Sequence, residues 1–415
     1  MSARLVVTVN GPGELMGWAR PFVRAVYAHE PDAALTIVFV PCAYATGKEA
    51  AITRLLFPRA TVVEPKRYAR FLMGRATEGM TRGPGALQYL GGDLFHATTI
   101  AKRLGVRPMT YKFSHRPYAH VFERFFALDE ANAAQFRRQG APAEAVRVVG
   151  NLVPDSVLGS LDFPPPTPGI GEGVCFLPGS RPYELHSLLP FFLGAAGKLA
   201  ARHPGLGFSV VISPFNSDDE LRASLRAPDP ALGGIGGELI EEGNAILAGG
   251  IRFALDRSGG YRAMAGAQLV VTIPGTKCLE AAVLGRPTLT VLPTNRMDQV
   301  AMNGIAGYLQ YIPLVGRPIK TWVARNAERR FRFVAQPNID ADRLIMPELR
   351  GILTPDDVAE RAGQMLADPQ NLRAMGESLA KIYAPHAGAS DRMAREALIV
   401  AAAEPKRSAA RGAAS

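Results

Sequence analysis

The chain has 415 residues, 47% of them hydrophobic and 20% charged, and a formal net charge of +10. That composition excludes a disordered or fibrous chain and is long enough for two ordinary domains. The excess of 47 Lys+Arg over 37 Asp+Glu suits an anionic partner, whether nucleic acid, a phosphorylated small molecule or an anionic membrane surface.

In chain order, "RLVVTV" at 4–9 reads as a buried strand, followed by the turn "NGPGE" and a helical stretch at about 15–29. The opening apolar run is too short for a signal peptide, and no run of 18 apolar residues occurs. The expectation is a protein that is soluble or lies on a membrane surface. Further strand-like runs fall at 35–40, 60–64, 86–90, 107–111, 125–129 and 146–150, with helix-like segments between most of them. Short continuous apolar strands alternating with helices predict a parallel sheet covered on both faces. The Pro/Gly-rich stretch "GSLDFPPPTPGIGEG" at 159–173 cannot sit inside a helix or sheet. Beyond it the alternation restarts, with strands at 174–179, 207–213, 251–256, 267–273 and 287–293 and a helix through 187–202. Residues 355–403 read as mostly helical. The predicted organisation is a first domain over 1–160, a linker at 161–173 and a second domain over 174–385. A C-terminal helix at 386–403 is expected to pack back on the first domain, and 404–415 to be disordered. Cys42, Cys175 and Cys278 are far apart with no C-x-x-C pair, which argues against a disulfide framework or structural zinc and for a reducing compartment.

Two doubly wound α/β domains bind ligands at the carboxyl ends of their strands. Four stretches place polar residues there. In "CFLPGSRPYELHSLLPFFL", Gly179 permits close backbone approach, and Ser180 and Arg181 can contact phosphate. Ser187 is the expected N-cap, which puts Pro190 in the first helical turn. The alternative is an ordinary loop with a solvated Arg. In "VTIPGTKCLEAAVLGRPTLTVLP", Thr276 is the expected cap, and Gly275 and Thr276 offer donors to a pyrophosphate. Glu280 can accept both hydroxyls of a ribose, or it simply favours the positive end of the helix dipole. In "ALQYLGGDLFHATTIAKRLGV", Asp93 with His96 could deprotonate a hydroxyl, or Asp93 is a helix cap. Gly11, Gly13 and Glu14 form a similar turn after the first strand, although "GPGELMG" lacks the dinucleotide-binding spacing.

These stretches resemble, in order over about 4–395, the lipid-A-disaccharide synthases, inverting glycosyltransferases of GT-B fold. "VNGPGELMGWARPFVRAV" is similar to their opening G-E-x-S-G-D-x-x-G turn, and "GGDLFHATTIAKRLGVRPMTY" to their I-D-x-P-D-F-N segment. "LPGSRPYELHSLLPFFL" resembles L-P-G-S-R-x-x-E-V-x-x-L-L-P, and "IPGTKCLEAAVLGRP" resembles S-G-T-A-T-L-E-A-A-L-x-G-x-P. "QPNIDADRLIMPELRG" resembles P-N-I-L-A-x-R-x-x-V-P-E-L-L-Q. The resemblance implies two Rossmann-like domains facing a cleft. It implies a UDP-sugar pocket of Gly179, Ser180, Arg181, Gly275, Thr276 and Glu280, bordered by Asn338 and Glu348. Asp93 would be the catalytic base with His96 beside it, and Gly13 and Glu14 would lie on the acceptor side. The implied reaction moves an acylated glucosamine-type sugar from a UDP-sugar to a lipid-linked sugar, with no cofactor. Other readings are a different GT-B glycosyltransferase, a UDP-sugar epimerase, or a non-catalytic membrane-surface protein. The chain departs from the family pattern at Asn151, where the family has His, and at Pro274, where it has Ser. "DAD" at 340–342 has the form of a metal-binding D-x-D, but the family has no such motif there, so no metal is expected.

Two segments mix basic and aromatic residues, 66–75 and 320–333. The first suits an interfacial helix with Arg67, Arg70 and Phe71 towards an anionic membrane, or a solvated helix whose apolar residues face the core. The expected location is the inner face of the cytoplasmic membrane, held peripherally. No nucleic-acid recognition module is visible.

Overall fold

A computed structural model describes residues 2–42, 45–295 and 331–403. The segment 320–330 and the tail at 404–415, named above, lie outside the described residues. The chain forms two compact units, Met1–Ser156 with His386–Ser415, and Val157–Pro385.

The first unit holds β1 (Arg4–Val9), β2 (Ala34–Phe39), β3 (Thr61–Val63), β4 (Ala86–Tyr89), β5 (Arg107–Tyr111), β6 (Arg124–Ala127) and β7 (Val146–Val148). They pair all-parallel in the order β3-β2-β1-β4-β5-β6-β7. Leu5, Val6, Val7 and Val9 are fully buried, as continuous apolar strands with helices on both faces should be. The chain winds from β1 outward to β3, then returns to place β4 on the other side of β1. The switch point therefore lies between β1 and β4, where ligands of such sheets bind. The C-terminal helix Ala389–Ala402 packs on helix Arg20–His29 of the same unit. Its N-terminus is held by Asp155, whose carboxylate accepts from the N–H groups of Gly388 (2.7 Å) and Ser390 (2.6 Å) and from the Ser390 hydroxyl (2.6 Å).

The second unit holds β8 (Val174–Leu177), β9 (Phe208–Val211), β10 (Glu238–Ile240), β11 (Ala245–Ala248), β12 (Ile251–Asp256), β13 (Leu269–Thr272), β14 (Thr288–Pro293) and β15 (Glu348–Gly351). Among the described residues the order is β10-β11-β12-β9-β8-β13-β14-β15. The switch point lies between β8 and β13. β10, β11 and β15 were not expected, and β10–β11–β12 is an antiparallel edge on an otherwise parallel sheet. Gly249 and Gly250, at φ 55° and 77°, make the tight turn between β11 and β12. The Pro/Gly stretch is held down by the fully buried Arg286, whose guanidinium donates to the carbonyls of Thr167, Ile170 and Ala265.

Two boundaries differ from the sequence reading. The helix after β8 runs Pro182–Arg202, so Ser187 is interior and Pro190 lies inside the helix, not in its first turn. The helix near the N-terminus begins at Pro12, and residues Leu15–Ala19 form a π-helical turn before Arg20–His29.

Candidate functional site

In the first unit the turns after β1 and β4 meet. Gly92 has φ 91°, and a Cβ there would lie 2.2 Å from Val40 Cγ2; a Cβ on Gly91 would lie 2.5 Å from Asn10 Oδ1 and 3.2 Å from Glu14. Only glycine lets the turn that delivers Asp93 pass so close to Asn10 and Glu14. The buried Tyr89 donates to the Gly92 carbonyl at 2.7 Å. Burial, then Glu14, then Asp93 push its phenol pKa up. Gly13 lies in the short helix Pro12–Glu14, beside this turn.

Asp93 is the N-cap of helix Leu94–Leu104, with its Oδ1 accepting from Phe95 N–H at 2.7 Å. Asp93 is exposed, and its second oxygen has no partner among the described residues. Capping thus uses one oxygen of the carboxylate. His96 follows one turn on, half-buried, with its Nδ1 2.8 Å from the Tyr68 hydroxyl. Burial lowers the His96 pKa, against an opposing effect of Asp93.

The basic helix Pro65–Leu72 corrects one expectation. Phe71 is 8% exposed and sits in the core with Tyr68, so it does not face outward. Period-3 spacing puts Tyr68 and Phe71 on the inner face, while Lys66, Arg67, Arg70 and Arg75 are exposed. Arg103 caps the helix C-terminus by donating to the carbonyls of Phe71 and Leu72, each at 2.8 Å. A further cluster joins the π-helical turn to the end of β5. The Trp18 ring on the π-helical turn meets Tyr111 edge-on at 5.7 Å, and Lys112 Nζ lies 5.5 Å from the Trp18 ring. Lys112 itself has φ 64°, a strained value for a residue with a Cβ.

In the second unit the turns after β8 and β13 flank the switch point. Gly179 has φ 113°, and a Cβ there would lie 2.4 Å from Glu184 Oε2. Glu184, which the sequence reading passed over, organises this turn. Its Oε2 accepts from the N–H groups of Ser180 (3.0 Å) and Arg181 (3.1 Å), and its Oε1 from Arg181 Nη1 (2.8 Å). Those two N–H groups are thus taken by Glu184. Burial alone would lower the Arg181 pKa, but Glu184 and Tyr183 outweigh it. Asn216, on the loop after β9, donates to the Ser180 carbonyl at 3.3 Å; its Oδ1 is buried without a partner among the described residues.

After β13 the helix runs Thr276–Val283 with Gly275 as N-cap, so Thr276 is the first helical residue and not the cap. Both are exposed. Glu280 is 5% exposed and paired through Oε2 with Lys277 Nζ at 2.6 Å. Lys277 also donates to the Gly259 carbonyl at 2.8 Å, tying the helix to the loop after β12. Glu280 Oε1 has no partner among the described residues.

Asn338 and Glu348 form a closed network. Asn338 Nδ2 donates to the Met346 carbonyl and Glu348 Oε1, each at 2.8 Å, and its Oδ1 accepts from Ile345 (2.8 Å) and Met346 (2.9 Å). The amide has no donor left, so Asn338 orders its loop and does not itself reach a ligand. Glu348 also accepts from the N–H groups of Val334 (2.9 Å) and Ala335 (2.8 Å), and pairs with Arg350. Burial pushes its carboxyl pKa up, but the Ala335 N–H, Arg350, Asn338 and the Val334 N–H together hold it below the ordinary value. A depressed folded-state pKa means stability that is complete above the unfolded value and lost as pH falls through the folded one. Glu348→Gln is therefore expected to cost about 1–3 kcal/mol at neutral pH, with the difference from wild type shrinking below about pH 4. Thermal melts of both proteins across this range check it; a constant difference down to the lowest pH contradicts it. Asp340 and Asp342 of the D-x-D stretch are bound elsewhere, to Tyr383 (2.6 Å) and Arg332 (2.7 Å).

No known family model matches this chain. It is 27% identical over 211 residues to the lipid-A-disaccharide synthase of Burkholderia mallei strain SAVP1, covering 51% of this chain and 43% of that protein. It is 30% identical over 145 residues to that of Aromatoleum aromaticum, covering 35% and 32%. The match thus spans less than half the length of these curated relatives. Among solved structures it is similar to UDP-GlcNAc 2-epimerase from Neisseria meningitidis bound to UDP-GlcNAc. The TM-score is 0.53 and the identity 13%, covering 95% of this chain and 100% of that one. It is also similar to the S. aureus MnaA–UDP co-structure, at TM-score 0.53 and 12% identity, covering 95% of both. The fold is GT-B. No helix among the described residues is long and apolar enough to cross a membrane.

Proposed function

We propose that this divergent relative of the lipid-A-disaccharide synthases is an inverting glycosyltransferase that moves an acylated glucosamine-type sugar from a UDP-sugar to a lipid-linked sugar hydroxyl. The observation that carries this reading is the pair of charged turns at the second switch point, Arg181 with Glu184 and Lys277 with Glu280. Arg181 supplies charge to the departing UDP, and Glu280 Oε1 accepts from the ribose. Asp93 in the first unit takes the proton of the acceptor hydroxyl, which attacks the anomeric carbon opposite UDP. The exposed first residues of helix Thr276–Val283 supply further positive potential, so the reaction is proposed to run without a metal. Acceptor-dependent UDP release that persists in EDTA tests the reading. UDP-sugar turnover without acceptor contradicts it, and epimerised product would favour the epimerase reading.

The acceptor's lipid places the enzyme on an anionic membrane surface in this reading. The outward face of helix Pro65–Leu72 supports it with Lys66, Arg67 and Arg70, and Met73 just beyond is 67% exposed. Among the described residues Arg67 has only a 3.6 Å surface contact with Glu78, which holds it weakly. With Phe71 buried, attraction is mainly electrostatic. Reversing Arg67 and Arg70 to Glu should abolish sedimentation with anionic vesicles at low salt, and high salt should do the same to wild type. Binding unaffected by either change would exclude this helix as the attachment.

A further inference from the structure

Resting on Asp93 as the base, we propose that Tyr68 is a positioning residue that donates its hydroxyl hydrogen to Nδ1 of His96, so that His96 presents Nε2–H as a hydrogen-bond donor to the acceptor substrate beside Asp93. His96 is then an orienting group and not a second base.

Satisfaction of buried polar groups carries the argument. Tyr68 is 0% exposed, and its hydroxyl has one partner among the described residues, His96 Nδ1 at 2.8 Å. A neutral imidazole has one N–H and one bare nitrogen. If Nδ1 carried the hydrogen, the phenol would accept it, and its own hydrogen would be buried with no acceptor. That costs about 1–3 kcal/mol. If the phenol donates, both groups are satisfied and the ring hydrogen is on Nε2. No described residue partners Nε2. The ring meets two aromatic rings edge-on, Tyr68 at 5.4 Å and its neighbour Phe95 at 5.6 Å. The support is itself anchored, because Arg103, on the helix that carries His96, caps helix Pro65–Leu72 at Phe71 and Leu72.

The charged and titratable groups acting on this pair are Asp93, at the start of the helix that carries His96, and Arg103. Burial pushes the Tyr68 phenol up to about 12, with Arg103 opposing, and lowers the His96 pKa, with Asp93 opposing. Both effects keep the pair neutral near pH 7, the state the donor role needs.

Nitrogen-15 NMR of histidine-labelled full-length protein tests this, with His96 identified by the signal lost in His96→Gln. Wild type should show Nε2 protonated and Nδ1 bare at neutral pH. Tyr68→Phe should lose that preference and raise the His96 pKa, since a bond favouring the neutral ring is gone. Wild-type His96 protonated on Nδ1 overturns the proposal, whatever the variant does. With UDP-sugar and a glycolipid acceptor, Tyr68→Phe should raise the acceptor KM by about 3- to 10-fold, the value of one hydrogen bond, with UDP affinity unchanged. An unaltered acceptor KM overturns the donor role. If wild type transfers no sugar, the glycosyltransferase reading fails while the NMR result still decides the tautomer.

Discussion

Asp93→Asn is expected to lower turnover by about 10²–10⁴-fold, the range for loss of a general base. The substitution isolates basicity from structure. Asn caps helices about as well as Asp, so the Phe95 N–H keeps its acceptor and helix Leu94–Leu104 keeps its start. What disappears is the proton affinity of the second carboxylate oxygen. Thermal stability and UDP affinity should therefore stay close to wild type, since the residue lies in the first unit and the proposed UDP contacts lie in the second. Steady-state rates with saturating donor and acceptor check this. Full turnover in Asp93→Asn would leave Asp93 as a cap alone and shift the role of base to Glu14, the other carboxylate acting on Tyr89.

Glu280→Ala is expected to weaken UDP binding by about 2–4 kcal/mol, from two ribose hydrogen bonds to a charged acceptor, or about 30- to 700-fold in Kd. The pairing with Lys277 sharpens the test. Oε2 is already committed to Lys277, so the ribose must be received mainly by Oε1. Removing the carboxylate takes one partner from Lys277, which is one-third exposed and keeps its bond to the Gly259 carbonyl. That loss is modest for stability. A large fall in UDP affinity with a small fall in Tm supports a ligand role. Calorimetry showing equal UDP affinity would reduce Glu280 to the partner of Lys277.

The sheets were legible because buried parallel strands write continuous apolar runs, as "RLVVTV" and "LVVT" do. The edge strands were not. Glu238–Ile240 and Glu348–Gly351 are only three and four residues long and, among the described residues, lie at the two ends of the sheet, although Gly249-Gly250 was a readable hairpin signal. Ser187 misled the placement of a helix start. Pro182, at the first helical position, and Glu184, reaching back to the turn, were the true signals. Phe71 was misplaced because a short basic helix can be read as interfacial or as core-facing from its sequence alone. Contacts such as Lys277 with Gly259, or Tyr68 with His96, join separate elements and leave no periodic trace in the chain.

The central claim is sugar transfer from a UDP donor to a glycolipid, and product mass spectrometry tests it most directly. Purified full-length protein is incubated with a panel of UDP-sugars and a membrane lipid extract, with and without EDTA. The expected result is a glycolipid heavier by one sugar or acylated sugar, formed together with UDP and equally in both conditions. A UDP-sugar isomerised with no lipid product, or left unchanged with every acceptor fraction, would contradict it.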